Sequence, residues 1–190
     1  MLIDKSEYLT AGIHIGMKSC TPYAKQFVYK IRDDGLAVFN LQKVDERIQI
    51  AADFLSRFEN ILVVSRKEAG NKPIQIFASA IGGKAIAGRF SPGTLTNPSY
   101  KDFYEPDVLL VVDPLIDEQA IKEAKKKKIP IVALADTFNS AKDIDLTIPM
   151  NNNGKKALAL VFWILAREIL KRKEKIKDKD FKLKVEDFSV

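Results

Sequence analysis

Among 190 residues there is one cysteine, one histidine and one tryptophan. A lone Cys20 can close no internal disulfide and build no thiolate metal centre, and its scarcity suits reducing surroundings. His14 with Cys20 supplies only two ligands, short of a zinc site, so His14 is read as a hydrogen-bonding residue of the turn between Gly12 and Gly16 and no metal or cofactor is expected. Long apolar runs are also missing. The longest, residues 157–166, is about half the ~20 needed to cross a bilayer and predicts a buried helix, with no membrane partner. The start, Met1-Leu2-Ile3-Asp4-Lys5, places an acid almost at once and predicts no secretory signal, hence a cytoplasmic protein.

Catalytic signatures are absent as well. No Gly-x-Gly-x-x-Gly follows a strand and no Gly-x-Ser-x-Gly elbow occurs. Gly82-Gly83-Lys84 imitates the end of a phosphate-binding loop but lacks the first glycine, carries Ala85 in place of a hydroxyl, and leaves a helix for a strand.

What remains is a globular composition, 46% hydrophobic and 29% charged, with a net charge of +6 that favours anionic partners. Residues 1–173 are expected to form a single domain, followed by a charged tail, 174–190, that is extended or ordered on a partner. The pattern alternates strand and helix. After a short helix at 4–10, residues 27–31 read as a strand, Arg32-Asp33-Asp34-Gly35 as a hairpin turn, and 36–40 as the returning strand. Helical spacing follows over 43–58, then a strand at 61–65, a helix from Pro73 to 81 with the proline in its first turn, and a short strand at 85–87. Residues 107–112 and 131–135 are apolar without alternation, as central parallel strands are. Helices at 117–127 and 155–173 and an extended piece at 144–148 complete an α/β, doubly wound, mostly parallel sheet covered on both faces, with an N-terminal β-hairpin.

Two carboxylates, Asp113 and Asp136, fall just after the buried strands, where ligands bind in open α/β sheets. They could hold Mg²⁺ and a phosphate, making the chain a phosphate-handling enzyme or small-molecule binder, or Asp113 could cap the next helix and Asp136 anchor a turn. No nucleophile with an activating base stands near either in sequence. Gly88-Arg89-Phe90-Ser91-Pro92-Gly93-Thr94-Leu95-Thr96-Asn97 combines glycines, hydroxyls, an amide and one arginine without any acid, which suits holding a phosphate-bearing molecule. Lys18, Lys25, Lys30 and Arg32, interleaved with Tyr23, Phe27 and Tyr29, form a basic and aromatic segment suited to RNA. By alternation Phe27 and Tyr29 share one face and are expected in the core, leaving the lysines to meet phosphate.

Several ordered motifs, Ala11-Gly12-Ile13-His14-Ile15-Gly16, Gly88-Arg89-Phe90 with Pro92-Gly93-Thr94-Leu95-Thr96-Asn97, Glu105-Pro106-Asp107, Asp113-Pro114, Ile129-Pro130, Asp136-Thr137, and Ile148-Pro149 with Asn151-Asn152 and Gly154, are together specific. Over residues 8–170 the chain resembles the small-subunit ribosomal proteins of the S-two family in their archaeal and eukaryotic form. The resemblance implies a flavodoxin-like domain without catalytic activity or small-molecule substrate, seated in the small ribosomal subunit and touching rRNA and neighbouring ribosomal proteins. It points to the entry motif around His14, Gly16 and Lys18 and to the loop around Arg89, Thr94 and Asn97 as parts that face rRNA or brace what does; with the cations Lys25, Lys30, Arg32, Lys101 and Lys155 these make the expected RNA-binding residues. The helical arm that bacterial members insert before the strand at Asp107 is missing, as is the acidic extension of animal members.

Overall fold

Successive residues of the central strands alternate between two separate cores, which is the mark of a sheet covered on both sides. The computed structural model describes residues 1–173, 181 and 183–189. In chain order these form α1 (Lys5–Ala11), β1 (Val28–Ile31), β2 (Ala37–Phe39), α2 (Leu41–Ser56), β3 (Ile61–Ser65), α3 (Glu68–Ile81), β4 (Lys84–Ala87), β5 (Val108–Val111), α4 (Glu118–Lys127), β6 (Ile131–Ala135), β7 (Leu146–Pro149) and α5 (Lys155–Arg172). Short 3₁₀ turns lie at Ala24–Phe27 and Val185–Phe188. Strands β3 to β7 make one parallel sheet in the order β4-β3-β5-β6-β7, and β1 pairs with β2 as a separate antiparallel ribbon.

The two cores are unequal. On one face Ile61, Val63, Leu110, Val132 and Leu134 pack under α2, α3 and α5. On the other, Leu62, Val64, Leu109, Val111 and Ala133 meet Ala120, Ile121 and Ala124 of α4. One helix cannot cover that width, and the remainder is closed by Phe90 and Leu95, 6% and 0% exposed, with Tyr104 beside them. The glycine-rich segment is therefore a structural layer.

Helix α2 begins where Asn40 accepts the Gln42 N–H at 3.0 Å, and its buried Val44, Ile48, Ala51, Ala52 and Leu55 keep helical spacing. Helix α3 differs from the sequence expectation. It starts at Glu68, so Pro73 lies inside it and not in its first turn. Packing outweighs the lost hydrogen bond. Gly70 passes so close to β3 that a Cβ there would stand 2.3 Å from Ser65 Oγ, while Pro73, Ile74 and Phe77 are buried.

Most of α5 is buried, as its apolar run predicts, and Phe162 meets Phe77 edge-on at 5.2 Å between centroids. Trp163 lies on the outer side, half-buried, with Phe181 at 6.0 Å and its Nε1 donating to the Leu183 carbonyl at 2.7 Å. Phe188 is fully buried, so the short turn Val185–Phe188 is seated on the body; residues 174–180, 182 and 190 of the expected tail fall outside the described residues. Phe162→Ala is expected to lower the unfolding free energy by about 3–5 kcal/mol, and Trp163→Ala by clearly less, because Phe162 is fully buried and Trp163 only half-buried. Urea denaturation decides this; an equal or larger loss for Trp163→Ala would contradict the assignment.

Candidate nucleic-acid interface

Because β3 leads outward to β4 while β5 sits on the opposite side of β3, the chain reverses direction between β3 and β5, and a crevice is expected at their carboxyl ends. Here side chains of the protein fill it. Lys67, just beyond β3, reaches Asp113 Oδ2 at 2.6 Å and donates to Asn152 Oδ1 at 2.9 Å and Asn153 Oδ1 at 2.5 Å. Asp113 Oδ1 accepts from the Leu115 N–H and from Asn139 Nδ2, both at 2.9 Å. Asn152 Nδ2 faces the carbonyls of Val112 and Leu134 at the ends of β5 and β6. Asp113 thus ties a turn and neutralises a lysine; the residue at the α4 N-cap is Asp117. Asp136 accepts from the Thr137 N–H at 2.6 Å and from Asn153 Nδ2 at 3.2 Å, which is the turn-anchoring role. The two carboxylates are committed to the fold and leave no open face for Mg²⁺ with a phosphate.

Asp117 takes N–H bonds from Arg66 and Asp113 at 2.9 and 3.2 Å. Burial, the dominant effect, outweighs those bonds and the pull of Lys67, pushing its carboxyl from 3.8 up to about 6. Burial likewise raises Asp136 against its hydrogen bonds to Thr137. Since the folded-state value of Asp117 exceeds the unfolded one, the stability it supplies is fully present below pH ~4 and is lost as pH rises through about 6. Wild type should therefore gain on Asp117→Asn as pH falls from 7 to 4.5, by at most about 3 kcal/mol. Urea unfolding at several pH values tests this, and a pH-independent difference would contradict it.

The glycine-rich segment is organised by a residue that sequence reading overlooked. Glu123, on the buried side of α4, accepts the Gly93 N–H at 2.8 Å, the Leu95 N–H at 3.1 Å, the Thr96 hydroxyl at 3.2 Å and Gln119 Nε2 at 2.8 Å. Burial works against its charge, but these donors together hold its carboxyl below the usual value. Its signal lay in the helix pattern: an acid beside Ala120 and Ala124 on the apolar face, opposite a loop with unpaired N–H groups. Thr94 is turned inward, 2% exposed, donating to the Ser91 carbonyl at 2.7 Å. Arg89, Asn97 and Lys101 are exposed. Glu123→Ala should cost roughly 2–4 kcal/mol by stranding the buried Leu95 N–H and the partly buried Gly93 N–H. Hydrogen exchange checks it: unchanged protection of the Gly93 and Leu95 amides would contradict the role.

The leading segment is stitched to the far edge of the sheet. The Met17 and Thr21 N–H groups bond Thr137 at 2.9 and 2.8 Å, and Tyr23 and Thr147 hydroxyls meet at 2.7 Å. Gly16 is required there, since a Cβ would stand 2.6 Å from Thr137 Cγ2. From this anchor the β1–β2 ribbon carries Lys30 and Arg32 into water, with Lys25 in the preceding turn; Arg32 pairs with Asp34 at 3.2 Å, both half-exposed. The stem of Lys18 lies beside Gly35 at the ribbon tip. Phe27 is buried as expected, but Tyr29 is 71% exposed. The ribbon stands off the main sheet, and an irregularity between Val28 and Lys30 breaks the alternation on which the core reading of Tyr29 relied. His14 is half-buried beneath it; burial lowers its value, opposed by the Tyr8 carbonyl and assisted by Arg32.

The ten candidate residues thus form two groups and an outlier. His14, Lys18, Lys25, Lys30 and Arg32 belong to the leading segment at the β6–β7 side, Arg89, Thr94, Asn97 and Lys101 to the loop beyond the opposite edge strand β4. Lys155 opens α5, exposed, two residues after Asn153.

Sequence comparison decides what such a surface belongs to. The model of the family described as Ribosomal protein S2 matches residues 8–102 and 99–171. The chain belongs to the Ribosomal protein S2 family. Among its relatives, the small ribosomal subunit protein uS2 of Staphylothermus marinus is 51% identical over 175 residues, covering 91% of this chain and 80% of the relative. Those of Ignicoccus hospitalis and Saccharolobus solfataricus are 52% and 49% identical, covering 90% and 100% of this chain and 82% and 84% of theirs. As a member of the S2 family the chain is a structural component of the small ribosomal subunit and not an enzyme, and the reading of Asp113 and Asp136 as a phosphate-handling site has no support. Among the described residues no helix is long and apolar enough to cross a membrane.

Proposed function

We propose that this S2-family chain serves the small subunit, in the cytoplasm, as a rigid spacer that offers two cationic surfaces to rRNA and an apolar rim to neighbouring ribosomal proteins. The observation that carries this reading is the division of charge. Carboxylates at the strand ends are buried and partnered, whereas Lys18, Lys25, Lys30, Arg32, Arg89, Lys101 and Lys155 extend into water. Exposed cations on elements locked from beneath can neutralise phosphates without reorganising the fold. Lys25, Lys30 and Arg32 contact phosphate directly, while His14 braces the ribbon. Arg89, Asn97 and Lys101 form the second surface, braced by the inward Thr94.

Protein neighbours are assigned to the opposite chemistry. Leu115 and Ile116, in the connection between β5 and α4, are 67% and 39% exposed, and Met17 is 44% exposed. Large apolar side chains held out at one end of the sheet suit a protein surface.

Affinity for small-subunit rRNA should fall with salt at a log–log slope of roughly −0.7 to −0.9 per neutralised phosphate. Replacing Lys25, Lys30 and Arg32 together by Ala should flatten that slope by about 2–3 units without lowering the melting temperature, since all three are exposed. A wild-type affinity independent of salt would overturn the reading.

A further inference from the structure

Val28 pairs with Phe39 and Lys30 with Val38, so β1 carries an additional residue between these pairs. A bulge breaks the in-and-out alternation and re-aims the side chains beside it. Tyr29, within that irregularity, and Lys30, at its end, both line one cavity of about 460 Å³. Lys5 and Leu9 of α1 are among its lining residues, as are Asn40 and Gln42. That volume lies within the ~300–1,000 Å³ typical of pockets for small organic groups.

The lining selects the occupant. None of its residues is Asp or Glu, while Lys5 and Lys30 both border it. Tyr29 leaves 71% of its surface in water, so its ring is open to a stacking partner. His14 also lines the cavity, with its Nδ1 buried and lacking a hydrogen-bond partner among the described residues. An aromatic face flanked by two ammonium groups and amides is the chemistry that receives a base with its phosphate.

We propose that the cavity between α1 and the bulged ribbon takes a single unpaired RNA nucleotide, its base stacked on Tyr29, its phosphate held by Lys5 and Lys30, and its base edge met by the Asn40 and Gln42 amides. This rests on the rRNA reading and adds a chemical class to it: single-stranded RNA with a splayed base, in place of duplex backbone alone. A peptide strand added to the free edge of β1 is the competing occupant. It would draw on backbone groups and gain nothing from the lysines.

The test measures binding of the full chain to a labelled single-stranded RNA hexamer and to a blunt RNA duplex at one low salt concentration, by fluorescence anisotropy. Wild type should prefer the hexamer, Tyr29→Ala should weaken hexamer binding roughly tenfold and duplex binding less than about twofold, and Tyr29→Phe, which keeps the ring, should remain near wild type. Melting temperatures should be unchanged, because Tyr29 is exposed. Equal or absent effects of Tyr29→Ala on the two RNAs, or no preference for the hexamer, overturn the nucleotide pocket and leave the ribbon to another occupant. Retained duplex binding would then leave the broader rRNA reading standing, whereas failure to bind either RNA would remove both.

Discussion

The ion pair between Lys67 and Asp113 is the constraint on which the arrangement depends. It joins the carboxyl ends of β3 and β5, the two strands between which the chain changes direction, and its side chains are only 12% and 1% exposed. A buried pair is tolerable only when the remaining lone pairs and protons are used, and Asn139, Asn152, Asn153 and the Leu115 N–H use them. In a doubly wound fold this is the place for a ligand. Filling it with fixed, mutually satisfied groups converts a binding fold into a strut.

The second core obeys the same economy of elements. With α4 alone on that face, the segment from Phe90 to Tyr104 must act as a layer, and Glu123 holds it by taking the N–H groups that its glycines expose. A polar loop that looks made for an external anion therefore binds an internal one. What it shows to water is its rim: Arg89, Asn97 and Lys101. Across the sheet, hydrogen bonds of the leading segment to Thr137 and with Thr147 fix it with similar rigidity, so that the ribbon's cations project from a stationary base.

Much of this was legible in the residues. Unbroken apolar runs at 107–112 and 131–135 declare central strands because side chains there are buried on both faces, and interleaved helical spacing makes the sheet parallel. Legibility ended where tertiary packing overrides local preference. Pro73 favours a helix start, yet close seating of Gly70 on β3 extends α3 upstream. Tyr29 alternates with its neighbours in sequence, but an irregular pairing within the separate β1–β2 ribbon leaves it in water. The bonds that hold Gly93, Leu95 and Thr96 around the inward Thr94 come from Glu123, nearly thirty residues later, which no local pattern connects to them. Asp113, just before a helix, has the look of a cap, and only the fold reveals that its carboxylate is spent on Lys67.

The central claim is that the crevice is structural. Functional sites hold charges that the fold would be more stable without, so their removal is neutral or stabilising, whereas breaking a buried structural pair strands a charge. The most direct measurement is the unfolding free energy of Lys67→Met at neutral pH. A loss of about 3–5 kcal/mol is predicted; an unchanged or higher stability would contradict the account.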